Sequence, residues 1–282
     1  MRAGPNRQGD LRVRSRNGAG RRGWLWALLL TVVSLGMGTL NTAQVAVSNL
    51  EGATHGFLVL STLDGKQLAS GELIRVAHGN RITSRLIFHF LDGSLHDETT
   101  VFVQRRRFQL LTYHLVQKGR SFKQPVEVEI ERASGWVVVH SLNDKGEQEV
   151  HDEKMKLPDD LANGMVLTIL KNIPPGSSTT TVSMVAATPK PRLVKLNITS
   201  DHTDPFTIAG SPRQATHYVV KVEIPGVAGV VAPLVGKMPP HAHVWILGGD
   251  SPAFVKSEYP LFSDGPLWRM ELVSPVWPKK HE

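Results

Sequence analysis

The feature that most constrains this chain is a repeated pattern of short β-branched and aromatic runs, each closed by turn residues. Val126-Glu127-Val128-Glu129-Ile130-Glu131 alternates strictly, the period of a strand with one buried and one wet face. Thr83–Phe90 and Leu95–Gln104 flank Asp92-Gly93. That dipeptide adopts the positive φ values of a tight hairpin turn, so the two runs are expected to pair. The same signals predict strands at Gly56–Leu63, Phe108–Val116, Trp136–His140 and Glu147–Lys156. Further on they predict Thr180–Ala187, Arg192–Thr199, Phe206–Ala209, Thr216–Ile224, Ala242–Leu247, Ala253–Lys256 and Leu267–Val273. Phe90–Leu95 and Phe262–Leu267 share a Phe-x-Asp-Gly-x-Leu form, which reads as one turn chemistry used twice.

One helix is predicted among these strands, over about 158–172. Pro158-Asp159-Asp160 suits a helix start, because Pro fits the first turn and carboxylates favour that end. Leu161, Met165, Thr168 and Ile169 then share a face, and Asn172 and Pro174-Pro175 stop it. The expected fold is mainly β: a curved antiparallel sheet or incomplete barrel with one covering helix at 158–172. Pro225–Pro240 is apolar without a clean period and reads as a loop or cover lying on the sheet, burying Val227, Val230, Val231, Leu234 and Val235.

Seven arginines fall in residues 1–23, and no charge appears from Gly23 to Leu50. A basic segment, an apolar core at Trp24–Leu35 and then small residues make an export signal. Cuts after Gly38, Ala43 and Ser48 all have small residues in place. Residues 1–48 are therefore expected to be the signal and 49–282 a single β-rich domain, periplasmic or extracellular. The general secretory route fits the leucine-rich core, with Arg21-Arg22 as its positive flank rather than a twin-arginine signal. If the segment is kept, its uncharged run is long enough to anchor the domain in a membrane.

The signal also accounts for the charge. Seven Arg and one Asp in residues 1–23 carry +6 of the overall +7, so the remainder is +1. A nearly neutral domain gives no reason to expect a nucleic-acid partner. The chain has no cysteine, which excludes thiol chemistry and leaves the core to hold the fold without disulfide bridges. Asn197-Ile198-Thr199 is a formal glycosylation sequon, relevant only in a eukaryotic secretory pathway, and the signal reads as bacterial.

The element order resembles that of a group of uncharacterised exported bacterial β-sheet proteins akin to the LolA-type lipoprotein carriers. The matching segments are Tyr113–Arg120 with Val126–Glu131, Pro158–Asn163, His243–Leu247, Phe254–Lys256 and Trp268–Leu272. The departure is Gly248-Gly249-Asp250-Ser251-Pro252, longer than that group's late turn, with Pro239-Pro240-His241 before the strand. The resemblance implies a hydrophobic concave face that binds a ligand or partner without catalysis.

Chemistry-bearing groups are sparse. Trp136, Trp245 and Trp268, with Val230 and Leu234 of the cover, are the candidate lining of an apolar groove. His241-Ala242-His243 is the one His-x-His; on a strand both rings share a face, so the pair is the alternative metal site, with Asp250 or Glu258 as a further ligand. Otherwise these are two ordinary histidines after a Pro-Pro turn. His96-Asp97-Glu98 reads as a solvated strand end rather than an acid–base pair. His89, between Phe88 and Phe90, is expected on the wet face. Arg105-Arg106-Arg107 reads as a solvated turn. No catalytic residue and no cofactor are predicted, and no Gly-x-Ser-x-Gly or phosphate-loop context occurs. The expected role is an exported binding or carrier protein for an apolar ligand, lipid or protein segment of the envelope. A structural envelope component is the alternative, and a metal-assisted hydrolase around His241 and His243 a further one.

Overall fold

The computed structural model describes residues 44–143, 145–208, 211–224 and 239–273. Of the expected signal, residues 1–43 lie outside these, as does 225–238 of the expected cover. The first meander is β1 (Thr54–Thr62), β2 (Gln67–His78), β3 (Arg81–Phe90), β4 (Leu95–Gln104), β5 (Phe108–Lys118), β6 (Val126–Glu131), β7 (Trp136–Leu142) and β8 (Gln148–Lys154). A helix of one turn, α1 (Val166–Leu170), follows. The second meander is β9 (Thr180–Ala186), β10 (Arg192–Ile208), β11 (Ser211–Glu223), β12 (Ala242–Leu247), β13 (Ala253–Tyr259) and β14 (Trp268–Val273). All 14 strands form one sheet in the order β8-β7-β6-β5-β4-β3-β2-β1-β14-β13-β12-β11-β10-β9. Every neighbouring pair is antiparallel.

The hairpin predicted at Asp92-Gly93 forms, with Ile87 opposite Asp97 and Phe88 opposite His96. Gly93 takes φ 83°, and Asp92 Oδ1 accepts the Ser94 N–H at 2.9 Å. The strict alternation of β6 is realised as Val126, Val128 and Ile130 buried between Glu127, Glu129 and Glu131. Two strand expectations change. Gln67–His78, unassigned in the sequence, is a full strand. Its inward positions include Gly71, where a Cβ would collide with the Phe88 ring and Ile87 O, so the missing side chain there breaks the expected alternation. Arg192–Thr199 and Phe206 onward are one strand, because the polar stretch between them bulges without leaving the sheet.

The sheet must curl. Laid flat, 14 strands would put β8 and β9 about 60 Å apart at ~4.8 Å per strand. Yet Leu161, seven residues beyond the end of β8, bridges Ser183 in β9, and seven residues span at most about 25 Å. Curling also lets Gln117 of β5 donate to Leu261 O, beyond β13, at 2.7 Å. The buried side chains gather on the concave side as one core that includes Leu58, Phe88, Phe102, Leu110, Ile130, Ile198 and Tyr218.

That core is completed by the connection between β8 and β9, residues 155–179, which corrects the helix predicted at 158–172. Pro158-Asp159-Asp160 does not start a helix. Asp160 O accepts the Ser183 N–H and Ala162 N–H donates to Ser183 O, so this stretch caps the β9 edge. Asn163 completes the cap, its side chain donating to Val185 O and accepting from Val185 N, both at 2.9 Å. Gly164 then turns the chain at φ +66°, a left-handed conformation that no α-helix contains, and only five residues wind as α1. Leu161, Met165, Ile169, Leu170 and Ile173 are buried against the concave face. A cavity of about 10 Å³ beside Leu161, Met165 and Ile169 holds no more than one water.

The folded unit reaches upstream of residue 49. Ala46 bridges Arg107, and the Ser48 and Asn49 N–H groups donate to Asn172 Oδ1 at 2.8 and 2.6 Å. A signal cut after Gly38 or Ala43 keeps this docked segment, whereas a cut after Ser48 removes it.

Gly164 faces Thr100 and Tyr113 so closely that a Cβ would collide with Thr100 Oγ1. Gly164→Ala should therefore cost about 2–4 kcal/mol, combining left-handed backbone strain with overpacking. A denaturant-melt loss below about 1 kcal/mol would mean the connection does not seat there.

Candidate functional site

The concave interior is apolar but carries three polar groups of residues. Trp268 of β14 is 7% exposed and meets Phe90, Phe122 and Phe262 with ring centroids 5.5, 6.3 and 5.8 Å away. Beside this aromatic cluster, His96 stacks on Phe122. The Gln117 amide donates one N–H to His96 Nδ1 at 3.0 Å and the other to Leu261 O. Burial pushes the His96 ring down to about 4, and Gln117 presents only donors to Nδ1, which suits the neutral ring. Next along β4, Glu98 accepts the Tyr113 hydroxyl at 2.8 Å. Burial raises the Glu98 carboxyl above the usual carboxylate range, and burial then the nearby Glu98 charge raise both Tyr113 and Tyr259. The third group is Glu51 with Lys171 at 2.5 Å and Arg75 at 3.7 Å; Gln104 clamps the Glu51 backbone through both ends of its amide. Such a buried ionic group fixes where the connection lies more than it adds stability.

The expected lining is divided. Trp268 alone of the three named tryptophans lies on the concave face. Trp245, between buried Val244 and Ile246, points to the other side, and Trp136, 45% exposed, does too. Trp136 borders an open outer-face groove of about 350 Å³ with Thr112, His114, Glu129, Glu131 and Val138. Val230 and Leu234 lie outside the described residues. His89 is exposed as expected, and Arg105–Arg107 form an exposed turn. His96 corrects the solvated reading of His96-Asp97-Glu98. It is buried in the core, because β4 turns its even-numbered side chains inward, and only Asp97 of the three faces out, paired bidentately with Arg85.

His241 precedes β12 and is exposed, while His243 Nδ1 lies 2.9 Å from His217 Nε2. The histidines that the fold assembles are His202, His217 and His243. A β-bulge builds the cluster: between Ser200 and Thr203, both Asp201 and His202 stand opposite the single residue His217, and such a bulge re-aims side chains. His217 is 5% exposed although it points away from the core, because His202 and Trp245 cover it at 4.6 Å each. Trp245 is held by Lys256, 3.9 Å above its ring, and by its indole N–H to Asp204 Oδ2 at 2.6 Å. Hydrogen bonding to Asp201, reinforced by the Asp204 charge, raises His202; burial, then the charges of His202 and His243, lowers His217. The Trp245 indole N–H holds Asp204 low, and the His202 hydrogen bond does the same for Asp201. The sequence does not single out Asp201, His202 and His217, because no two of the three form a spaced motif. The available signal was the density of Asp and His in Ser200-Asp201-His202-Thr203-Asp204.

Two measurements follow from these placements. Trp268→Ala should cost about 3–5 kcal/mol, as for a deleted core aromatic, and Trp136→Ala less than about 1 kcal/mol; equal losses would contradict the two exposures. For His96, the unfolded ring takes up a proton as pH falls through 6.5, the folded ring only near 4. Stability should therefore fall by up to ~3 kcal/mol across that window on acidification, with no further His96 contribution below it. His96→Gln should flatten the window, and an unchanged slope in the variant would assign the acid sensitivity elsewhere.

No family model matches the chain, and a search of curated proteins found no match. Among solved structures, the chain is similar to a beta-barrel-like protein of the domain of unknown function DUF1849 from Brucella abortus, at 12% identity and a TM-score of 0.41, over 82% of this chain and 100% of that one.

Proposed function

We propose that the chain is an exported, non-catalytic binding protein of the bacterial cell envelope. It takes an apolar ligand, lipid or protein segment on the concave face of its sheet, in exchange for the β8–β9 connection. The observation that carries this reading is the nature of the cover. Among the described residues no second sheet or long helix lies on the concave face; residues 155–179, with a single helical turn, are its main cover, joined by Val45, Val47, Leu261 and Phe262. The side chains of Leu161, Met165, Ile169, Leu170 and Ile173 occupy the ground an acyl chain or apolar peptide would fill. Each buried side chain contributes roughly 1.5–3 kcal/mol, so the connection leaves only when a ligand restores equivalent contact. The export segment supports an envelope location, and the resemblance to LolA-type carriers supports the concave face as the binding surface.

The interior also offers the few polar groups a ligand site needs. Thr100 and Tyr113 lie directly beneath Gly164, and Glu98 accepts the Tyr113 hydroxyl. A ligand with one hydrogen-bonding end and an apolar body fits that combination. Asn163 is the clasp, since its two hydrogen bonds to Val185 tie the connection to the sheet edge.

The test uses the mature chain and the fluorescent apolar probe 1-N-phenylnaphthylamine, with native-state hydrogen exchange. Residues 161–173 should exchange faster than β4 and β5, and the probe should bind saturably and slow that exchange. Asn163→Ala, with circular dichroism checking the sheet, should tighten probe binding several-fold, because a larger open fraction lowers the apparent dissociation constant. If neither protein binds the probe and residues 161–173 exchange as slowly as β4, the cover is permanent and the protein is a structural envelope component.

A further inference from the structure

We propose that Asp201, His202 and His217 form a binding site for one divalent transition-metal ion, zinc by their ligand chemistry, on the outer face of β10 and β11. This site is separate from the concave face and does not rest on the carrier reading. Two imidazoles and one carboxylate are the donor set that zinc takes at three-ligand sites, with a fourth position left for water. Asp201 Oδ2 lies 3.0 Å from His202 Nδ1 and 3.3 Å from His217 Nδ1. A tetrahedral ion with metal–ligand bonds of about 2.0–2.2 Å spaces its donor atoms about 3.3–3.6 Å apart. Both Asp201 separations lie within a few tenths of an ångström of that spacing, and all three donor atoms lie within 4.8 Å of one another.

Two further observations point to a ligand rather than to a chance grouping of surface charges. His217 is more than nine-tenths buried, and its Nδ1 has no hydrogen-bond partner although it faces the Asp201 carboxylate. A buried ring nitrogen in that state is costly unless something else engages it. The second observation is that each ring's other nitrogen is already engaged. His202 Nε2 lies 3.1 Å from Asp204 Oδ2, and His217 Nε2 lies 2.9 Å from His243 Nδ1. Metal-bound histidines donate their second N–H to a carboxylate or similar acceptor, which fixes the tautomer and ring angle. Asp204 is in turn held by the Trp245 indole N–H. The bulge at Asp201-His202 is what lets two adjacent residues address one residue on β11. The other grouping of this kind among the described residues, His114 with Glu127 and Glu129, is at least partly exposed on every member.

Isothermal titration of the metal-free mature protein with zinc chloride tests the site. The wild type should bind one ion per chain. Cobalt(II) in place of zinc should give the visible absorption of a four-coordinate site. His202→Ala should weaken binding more than tenfold and abolish the cobalt spectrum, and His217→Ala should do the same. Asp204→Asn and His243→Ala, which leave the donor atoms in place, should weaken it about 10–100-fold. His241→Ala and His114→Ala should bind as the wild type does. Should His217→Ala fail to fold by circular dichroism, His202→Ala decides, because its ring is half exposed and outside the core. Absence of saturable binding in the wild type, or His202→Ala binding zinc as tightly as the wild type, overturns the proposal; loss in His114→Ala instead would place the ion on β5 and β6.

Discussion

The pairing of β1 with β14 is the constraint on which the rest of the structure depends. Every other strand pair joins neighbours in sequence, so each meander can form from local hairpins. Only the register that sets Leu58 against Leu272, Leu60 against Met270 and Thr62 against Trp268 makes one sheet from two. That pairing sends β8 and β9 to opposite ends of the strand order. The chain bridges β9 at Leu161–Ser183 only seven residues after β8 ends, so the sheet has to curl until its two edges come within reach of one another. The concave face is a consequence of that reach, and the same connection is then the nearest apolar material to fill it.

Filling the face in this way uses few regular hydrogen bonds. Residues 155–179 are held by side-chain clasps at Asp160, Asn163 and Asn172 and by the Tyr218 hydroxyl on Ile173 O, with Lys171 reaching the buried Glu51. Polar clasps around an apolar filling position a segment well while leaving it less cooperative with the strands than a further hairpin would be. The proposed exchange of this segment for a ligand would draw on that difference. The histidine cluster stands apart from it, on the outer face of the second meander, where a bulge rather than the core decides which side chains meet.

Much of the fold was legible because strands and tight turns are local events. Val126–Glu131 and Ala242–Leu247 appear with the bounds read from their patterns, and Asp92-Gly93 turns the hairpin it predicts. The predicted number of strands equals the observed one through two errors that cancel. Gln67–His78 is not legible as a strand because Gly71 and the inward, buried Arg75 hide its apolar face. Arg192–Ile208 was divided because Asp201-His202 reads as a loop. The helix expected over 158–172 is confined to Val166–Leu170 for a non-local reason. Asp160 and Asn163 have better partners on β9 than a helix start would offer, and Gly164 must pass under Thr100. At His96, three polar residues in a row suggest a surface, whereas its neighbours on other strands make that position core.

The sequence by itself determined that this chain is a mainly antiparallel β protein without disulfide bridges, since alternation, Asp-Gly turns and the lack of cysteine act on neighbouring residues or on composition alone. Only the tertiary structure decided which face each tryptophan takes, what fills the concave side, and which histidines meet. Those outcomes depend on registers between strands far apart in the chain. A shift of one residue at a bulge, as at Asp201-His202, exchanges the partners that a side chain can reach.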